Sequence, residues 1–162
     1  MGTLRIASES HADFIRELWM QPKNTIFLNP FDEHELIESI LSKNILLWEC
    51  DEEASGFIAL ECWAPGNVGL SDLAVVNRNS GVGVEMLTAT INRLFSDPLM
   101  HRLSLDTTID NMAAIKLSER TGFFREGVLR ECWQRPNSEW IDCVLYGLLR
   151  REWKIQSESN SG

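Results

Sequence analysis

The sequence predicts a mixed α/β fold in a single domain, and three observations support this prediction. The chain has 162 residues, a length that suits one domain with one sizeable core. Its composition, 44% apolar and 24% charged, is ordinary for a globular protein. Apolar residues at helical spacing alternate along the chain with short strand-like runs, which favours a sheet packed against helices.

The first part of the chain predicts one short strand and two helices. Leu4–Ala7 is typical of a strand. Ser10 followed by Asp13 resembles a capping pair, and apolar residues at helical spacing follow it. Asp32 and Glu35 are expected to cap a second helix. The predicted buried face of that helix consists of Leu36, Ile37, Ile40 and Leu41.

Strands dominate from Ile45 onward. The acidic turn 51–55 between two apolar runs indicates a hairpin, and Gly122 is expected to end a helix. The polar segment 156–162 is predicted to be a disordered tail, so the domain is expected to span residues 1–155. The remaining predicted strands are 45–50, 56–63, 68–76, 102–107, 123–135 and 140–149, and the remaining helices are one that carries Val84 and one at 111–120.

Charge and composition argue against several kinds of partner. A formal net charge of −9 repels phosphate backbones, so we expect no nucleic-acid partner. The absence of a bilayer-length apolar run or an export segment predicts a cytoplasmic protein without a membrane partner. The three histidines and four cysteines are scattered, which predicts no metal site and buried, reduced thiols. The cysteines are Cys50, Cys62, Cys132 and Cys143.

A glycine-containing loop, residues 78–83, lies between an apolar strand and an amphipathic helix. The start of a helix presents unpaired N–H groups and the positive end of the helix dipole, and glycines let a phosphate approach. Arg78 either adds charge or braces the turn. The loop lacks the Gly-Lys-Ser/Thr of a nucleotide P-loop, and Met86 stands where a dinucleotide fingerprint has its third glycine. On its own the pattern fits a diphosphate site or an ordinary turn.

Two motifs in the second half of the chain resemble those of a known family. Arg-x-x-Gly-x-Gly at 78–83, after the strand 73–76, resembles the acyl-CoA signature of the GNAT superfamily of N-acyltransferases. Asn-x-x-Ala-x-x-Leu at 111–117, followed by Gly-Phe at 122–123, matches the helix and turn that come next in that superfamily. The run 122–130 is similar to the RimJ/RimL branch, which acetylates protein N-termini and assorted small amines. The resemblance covers about residues 70–153.

The resemblance implies a fold and a cosubstrate. The expected fold is a GNAT-like domain with a mostly antiparallel twisted sheet, helices on both faces, and strands that splay at the acyl-CoA slot. The cosubstrate is acetyl-CoA, with no metal. Its pantetheine arm is expected to pair with Leu73, Ala74 and Val75 like an added strand. The expected diphosphate-binding residues, besides Arg78, are Asn79, Ser80, Gly81, Val82, Gly83 and Val84.

The residues that match the family's other site positions have more than one possible role. Asn111 is expected to hydrogen-bond the pantetheine or nearby backbone, or simply to begin a helix. Ser118 stands where many members have a tyrosine that acts as the general acid. It is expected either to relay a proton through water or only to pack at a helix–sheet contact. Asp72 and Glu61 are candidate bases that deprotonate the amine, or strand residues facing solvent. Tyr146 is expected in the core or at its rim.

The reaction implied by the resemblance is direct attack of a primary amine on the thioester. The amine is a peptide N-terminus or a small molecule. An α-amine, with a pKa near 8, loses its proton more readily than a lysine with a pKa near 10.4, so we hypothesise an α-amine preference. The alternatives are a catalytically silent acyl-CoA-binding module, or an unrelated α/β domain. Both a monomer and a homodimer fit the sequence. Three tryptophans are interpreted as core or dimer-face residues rather than pocket walls, namely Trp63, Trp133 and Trp140.

Overall fold

The structure is a computed structural model that describes residues 2–160. The strands are β1 (Gly2–Ile6), β2 (Ile45–Cys50), β3 (Glu53–Ala64), β4 (Asn67–Val75), β5 (Arg102–Thr108), β6 (Phe124–Gln134) and β7 (Trp140–Leu149). The helices are α1 (Ala12–Trp19), α2 (Pro22–Thr25), α3 (Glu33–Leu41), α4 (Val82–Phe95), α5 (Met112–Arg120) and α6 (Arg150–Ser159).

The seven strands form one sheet in the order β1-β2-β3-β4-β5-β7-β6. Four neighbouring pairs, β1–β2, β2–β3, β5–β7 and β6–β7, are antiparallel, whereas β4 and β5 run parallel. The predicted mixed α/β fold with a mostly antiparallel sheet is therefore confirmed. The chain divides into two compact units, one comprising the residues up to Glu61 and 70–90, the other comprising 62–69 and the residues from Ile91 onward.

The core of the first unit forms where helices α1 and α3 bury their apolar stripes with the inner residues of β2 and β3. Trp19 stacks on Phe57 at 5.2 Å between ring centroids, and ring stacking adds to the burial of apolar surface. Asp32 caps α3 as predicted, because its Oδ1 accepts from the N–H of Glu35 at 2.9 Å. Further buried members of this core are Ile15, Leu18, Leu36, Ile40, Ile45, Leu47 and Ala74.

The core of the second unit lies along β5 and β7. Both strands contain consecutive buried residues, such as Leu103 and Ser104 on β5 and Cys143 and Val144 on β7. Phe95 stacks on Trp153 of α6 at 5.2 Å, and Arg150 lies against the Phe95 ring at 5.4 Å. The fully buried side chains here include Leu103, Tyr146 and Leu148.

Several local predictions are wrong. The first helix is preceded by a short 3-10 turn, in which the N–H of Ser8 donates to Nδ1 of His11 at 3.0 Å, so the Ser10–Asp13 capping pair does not form. Leu41, predicted to be buried, is 62% exposed because α3 ends there. Helix α2 lies between the first two predicted helices, where no helix was predicted.

The chain beyond residue 149 also differs from the prediction. Helix α6 continues to Ser159, where a disordered tail was expected from residue 156. The last part of that predicted tail, Ser161 and Gly162, lies outside the described residues. The extent of the domain, 1–155, stays a prediction. Within residues 2–160, no helix is both long enough and apolar enough to cross a bilayer.

Candidate functional site

The glycine loop is built around the left-handed backbone of Gly81. This residue has φ +89°, and Asn79 has φ +61°, a region that glycine adopts without steric cost. The N–H groups of Val84 and Glu85 both donate to the carbonyl of Gly81, at 3.0 and 3.1 Å, and so begin α4. A Cβ on Gly81 would meet no heavy atom within 4 Å. The glycine is therefore required by the backbone conformation, and the space beside it is open.

Helix α4 directs the positive end of its dipole toward this open space. The helix is 14 residues long, and the N–H groups of its first residues, Val82 and Gly83, have no intrahelical acceptor. Aligned peptide dipoles place roughly half a positive charge at such an end. Both residues are half-buried and the preceding loop is exposed. This arrangement can bind an anionic group such as a phosphate.

Arg78 braces the loop. Its Nη2 donates to the carbonyl of Lys23 and to Oδ1 of Asn24, both at 2.6 Å. In the opposite direction, Nζ of Lys23 donates to the carbonyl of Val76 at 3.1 Å. Of the two roles left open by the sequence, these contacts favour bracing. Asn24 was missed, because nothing in a four-residue helix that begins at Pro22 indicates a long-range partner.

The strand before the loop, β4, is paired with β5 only over its first three residues. The parallel ladder with β5 joins Asn67–Gly69 to Arg102–Ser104, so residues 73–75 lie beyond it. On the other side, the N–H of Val76 donates to the carbonyl of Ser55 at 2.9 Å. Ala74 is buried, and Leu73 and Val75 are half-buried. Among the described residues, the ladder with β5 therefore does not extend to the end of β4.

The two candidate bases have different surroundings. Asp72 is buried, at 5% exposure, and its carboxylate accepts from the N–H and the Nδ2 of Asn29 at 2.8 and 2.9 Å. These bonds give Asp72 an anchoring role in the segment before α3. Glu61, on β3, is exposed. Asp72 therefore does not face solvent, whereas Glu61 does, and a catalytic role for either stays a prediction.

Asn111 and Ser118 lie at the start and near the end of α5. Oδ1 of Asn111 accepts from the N–H of Ala114 at 3.2 Å, which makes Asn111 the N-cap. Ser118 is 1% exposed, and its hydroxyl donates to the carbonyl of Ala114 at 2.8 Å. Both residues thus have a structural role in the helix. The cap uses only the oxygen of the Asn111 amide, so its Nδ2 is left for a second partner.

The aromatic side chains divide between core and surface. Tyr146 is fully buried and its hydroxyl donates to Oε1 of Glu119 at 3.2 Å; burial, together with this bond, raises the pKa of Tyr146. This matches the expected core role. Trp63 and Trp140 are 52% and 55% exposed, so neither is a core residue. Trp133 is half-buried, with an indole N–H that finds no acceptor among residues 2–160.

The cysteines are all free, but the expected burial is only partly correct. Cys143 is buried, and burial and its contact with Cys132 raise the pKa of Cys143 to about 12. Cys50 is half-buried, whereas Cys62 and Cys132 are exposed. Across the described residues, no group of three or more His, Cys, Asp and Glu side chains is placed to hold a metal ion.

Comparison with known proteins places these features in a family. The sequence model described as the acetyltransferase (GNAT) family matches residues 9–123. The uncharacterized N-acetyltransferase YnaD of Bacillus subtilis (strain 168) is 28% identical over 76 residues, which span 47% of this chain and only 44% of that protein.

Solved structures share the fold at low sequence identity. The spermidine N-acetyltransferase of Vibrio cholerae, in complex with CoA and spermine, has a TM-score of 0.80 and 17% identity over 94% of this chain and 97% of that one. The Salmonella typhimurium enzyme that modifies the N-terminal serine of ribosomal protein L7/L12 has a TM-score of 0.77 and 19% identity, over 91% and 94%. These likenesses establish a shared fold.

Proposed function

The chain belongs to the acetyltransferase (GNAT) family, and from that premise we propose that it transfers an acetyl group from acetyl-CoA to a primary amine. The observation that carries the proposal is the glycine loop. It combines a left-handed Gly81, open space where a Cβ would stand, and the positive end of a long helix. A diphosphate satisfies such a helix start, since it accepts hydrogen bonds from backbone N–H groups and is stabilised by the dipole.

The pantetheine arm of the cofactor pairs with residues 73–75 in this proposal. An amide-bearing chain can add to a strand whose backbone groups are not already in a ladder, and the parallel ladder of β4 ends at Gly69. The N–H of Leu73 or Ala74 stabilises the oxyanion of the tetrahedral intermediate. The role of Asn111 as a donor to the cofactor is supported by its Nδ2, which the N-cap bond does not use.

The chemistry needs a neutral amine held beside the thioester. The amine nitrogen forms a bond to the carbonyl carbon, the C–S bond breaks, the amine loses a proton and the thiolate leaves. Positioning of the two reactants supplies much of the acceleration. Thiols are far more acidic than alcohols, so the thiolate departs without a strong acid. This suits a chain in which the Ser118 hydroxyl is bonded to a helix carbonyl; proton relay by Ser118 stays a prediction.

The acceptor is a peptide N-terminus or a small-molecule amine. The two structural neighbours act on amines of both kinds, a ribosomal protein N-terminus and a polyamine. A net charge of −9 attracts a protonated amine. We keep the preference for α-amines, because their lower pKa leaves a larger neutral fraction near pH 7. A cytoplasmic location is supported by four cysteines that are all free.

Calorimetric titration with acetyl-CoA tests the cofactor site. We expect the wild type to bind and Gly81→Asp to lose binding, because a carboxylate enters the open space and repels the diphosphate. Gly127→Asp is a matched control, since it adds the same carboxylate at a glycine where a Cβ also meets nothing within 4 Å and φ is not left-handed. Equal binding by the wild type and Gly81→Asp, or none by a folded wild type, would remove the glycine loop as the cofactor site.

A catalytically silent acyl-CoA-binding module is the second candidate. Ser118 stands at the position where many family members have a tyrosine that acts as the general acid. The observation in favour of this candidate is that the Ser118 hydroxyl donates to a carbonyl of its own helix. Binding of acetyl-CoA without transfer to any amine would favour this candidate.

A further inference from the structure

The segment 21–31, here called the α2 segment, is fixed to the glycine loop by polar contacts. Nη2 of Arg78 donates to the Lys23 carbonyl and to Oδ1 of Asn24, both at 2.6 Å. Nζ of Lys23 donates to the carbonyl of Val76 at 3.1 Å. Val76 lies two residues before Arg78, so the α2 segment contacts the chain just after β4 as well as the first residue of the loop.

In Asn24, both the donor and the acceptor of the side-chain amide are hydrogen-bonded. It is 3% exposed, and its Nδ2 donates to the carbonyl of Leu18 at 2.7 Å while its Oδ1 accepts from Arg78. The end of α1, the α2 segment and the glycine loop therefore meet at one side-chain amide. Breaking the bonds of this buried amide costs free energy, because a donor or acceptor left without a partner remains buried but no longer has the hydrogen bond that offsets its desolvation.

A second contact fixes the far end of the α2 segment. Asn29 donates from its backbone N–H and its Nδ2 to the two oxygens of Asp72 on β4, and its carbonyl accepts from Nε1 of Trp19 at 2.9 Å. Apolar contacts add to this end of the segment. Leu28 is buried at 7% exposure, and Phe31 packs against the core with its ring 5.9 Å from that of Trp19. Near α2 itself, Ile26 is 41% exposed, so local opening there depends mainly on the polar contacts of Lys23 and Asn24.

We propose that Asn24 is a positioning residue that couples the α2 segment to the glycine loop, so that coenzyme A bound at the loop stabilises the α2 segment. This inference rests on the proposed cofactor site. Opening of the α2 segment releases Arg78 and with it the shape of the loop that binds the diphosphate. A ligand that binds only the closed form suppresses that opening in proportion to its concentration relative to Kd. Coupling of this kind is reciprocal, so any contact that stabilises the closed α2 segment also strengthens cofactor binding.

Hydrogen exchange with and without coenzyme A tests the coupling. The probes are the amides of Leu28 and Asn29, bonded to the Asn24 carbonyl at 3.0 Å and to Asp72 at 2.8 Å. In the wild type we expect coenzyme A to slow exchange in 78–85, and to slow it at these two amides by about fivefold or more. In Asn24→Ala, the backbone carbonyl remains, and we expect slowing in 78–85 to persist while slowing at the two amides is lost. Thr25→Ala, which removes only a bond from Thr25 to Pro22 within α2, should behave as the wild type does.

The other outcomes overturn the inference in distinguishable ways. Slowing confined to 78–85 in the wild type would mean that the cofactor site exists but is not coupled to the α2 segment. Equal slowing at Leu28 and Asn29 in the wild type and in Asn24→Ala would remove Asn24 from the coupling. No slowing anywhere would overturn the cofactor site as well. If Asn24→Ala does not fold, Lys23→Met, which removes only an exposed donor to Val76, is expected to reduce the slowing at the same two amides.

Discussion

Gly81 and Arg78 lie in the same loop and contribute to it in different ways. Gly81 provides a backbone conformation that side chains disfavour, with φ +89°. Arg78 provides two donor contacts, both from Nη2, to the chain around Lys23, and these brace the loop. Backbone N–H groups and the helix dipole give the loop a separate means of attracting a phosphate.

Two substitutions of Asn111 separate its role as the N-cap of α5 from its proposed role as a donor to the cofactor. Asn111→Ala should cost about 1 kcal/mol in the free energy of unfolding, because the N-cap bond to Ala114 is lost. Asn111→Ser keeps a capping oxygen but lacks the amide donor, so stability should be preserved while acetyl-CoA binding weakens by about fivefold. Urea unfolding and calorimetry measure the two effects. Unchanged affinity in both variants would leave Asn111 as a helix cap alone.

Single residues also mark how far the sequence can be interpreted. The glycine of the loop was predictable, because a left-handed residue at a strand–helix junction is a local requirement. Asp72 was not, since its partner Asn29 lies 43 residues away in sequence and no periodicity links them. The same holds for Asn24 and Arg78, which are 54 residues apart. Local chemistry is visible in a sequence, whereas a side chain's distant partner depends on the fold.

At the scale of elements, β5 and β6 are joined by an ion pair that crosses β7. Nη1 and Nη2 of Arg102 donate to the two carboxylate oxygens of Glu126 at 2.7 and 2.5 Å. Gly147 of β7 lies beneath the pair, and a Cβ there would contact both side chains. Bidentate geometry makes this pair stronger than most surface pairs. The side chains are 23% and 33% exposed, so solvent screens part of the attraction.

This ion pair predicts a specific pH dependence. The hydrogen bond from Arg102 holds the pKa of Glu126 below its usual range. The pair therefore contributes fully above the ordinary glutamate pKa, and the contribution is lost as pH falls through the lowered value. Glu126→Gln should cost about 1 kcal/mol at pH 7 in urea unfolding and clearly less near pH 3. Glu139→Gln, at a 3.7 Å pair that is 56% exposed on the glutamate side, is the control. An identical cost at both pH values would contradict the assignment.

Elements differ in how well their sequences predicted them. Strands β2 and β7 have the predicted bounds, because each is a largely apolar run next to a stretch of turn-forming residues. Helix α2 was missed because four residues are too few for a periodic pattern. Helix α6 was missed because its mean composition is polar; its hydroxyls at Ser157 and Ser159 bond to carbonyls of the preceding turn. Short or polar helices owe their formation to contacts that sequence periodicity does not record.

For the whole molecule, family membership and fold agree with what the motifs implied. The order of motifs along the chain predicted the family because each motif has a physical role at a fixed place in the fold. The acceptor could not be predicted in the same way. The N-terminal half holds no motif that indicates which amine is used. The contacts of Asn24 and Asn29 join residues far apart in the sequence, and such partners are not visible before the fold is known.

The most direct test of the central claim is an acetyl-transfer assay followed by mass spectrometry. The folded protein is incubated with acetyl-CoA and three acceptors: a lysine-free peptide with a free N-terminus, an N-terminally blocked peptide with one lysine, and a polyamine. We predict acetylation of at least one acceptor with release of the free thiol, and faster modification of the α-amine than of the lysine. A folded protein that binds acetyl-CoA and acetylates none of these amines would contradict the enzyme proposal and leave a silent binding module.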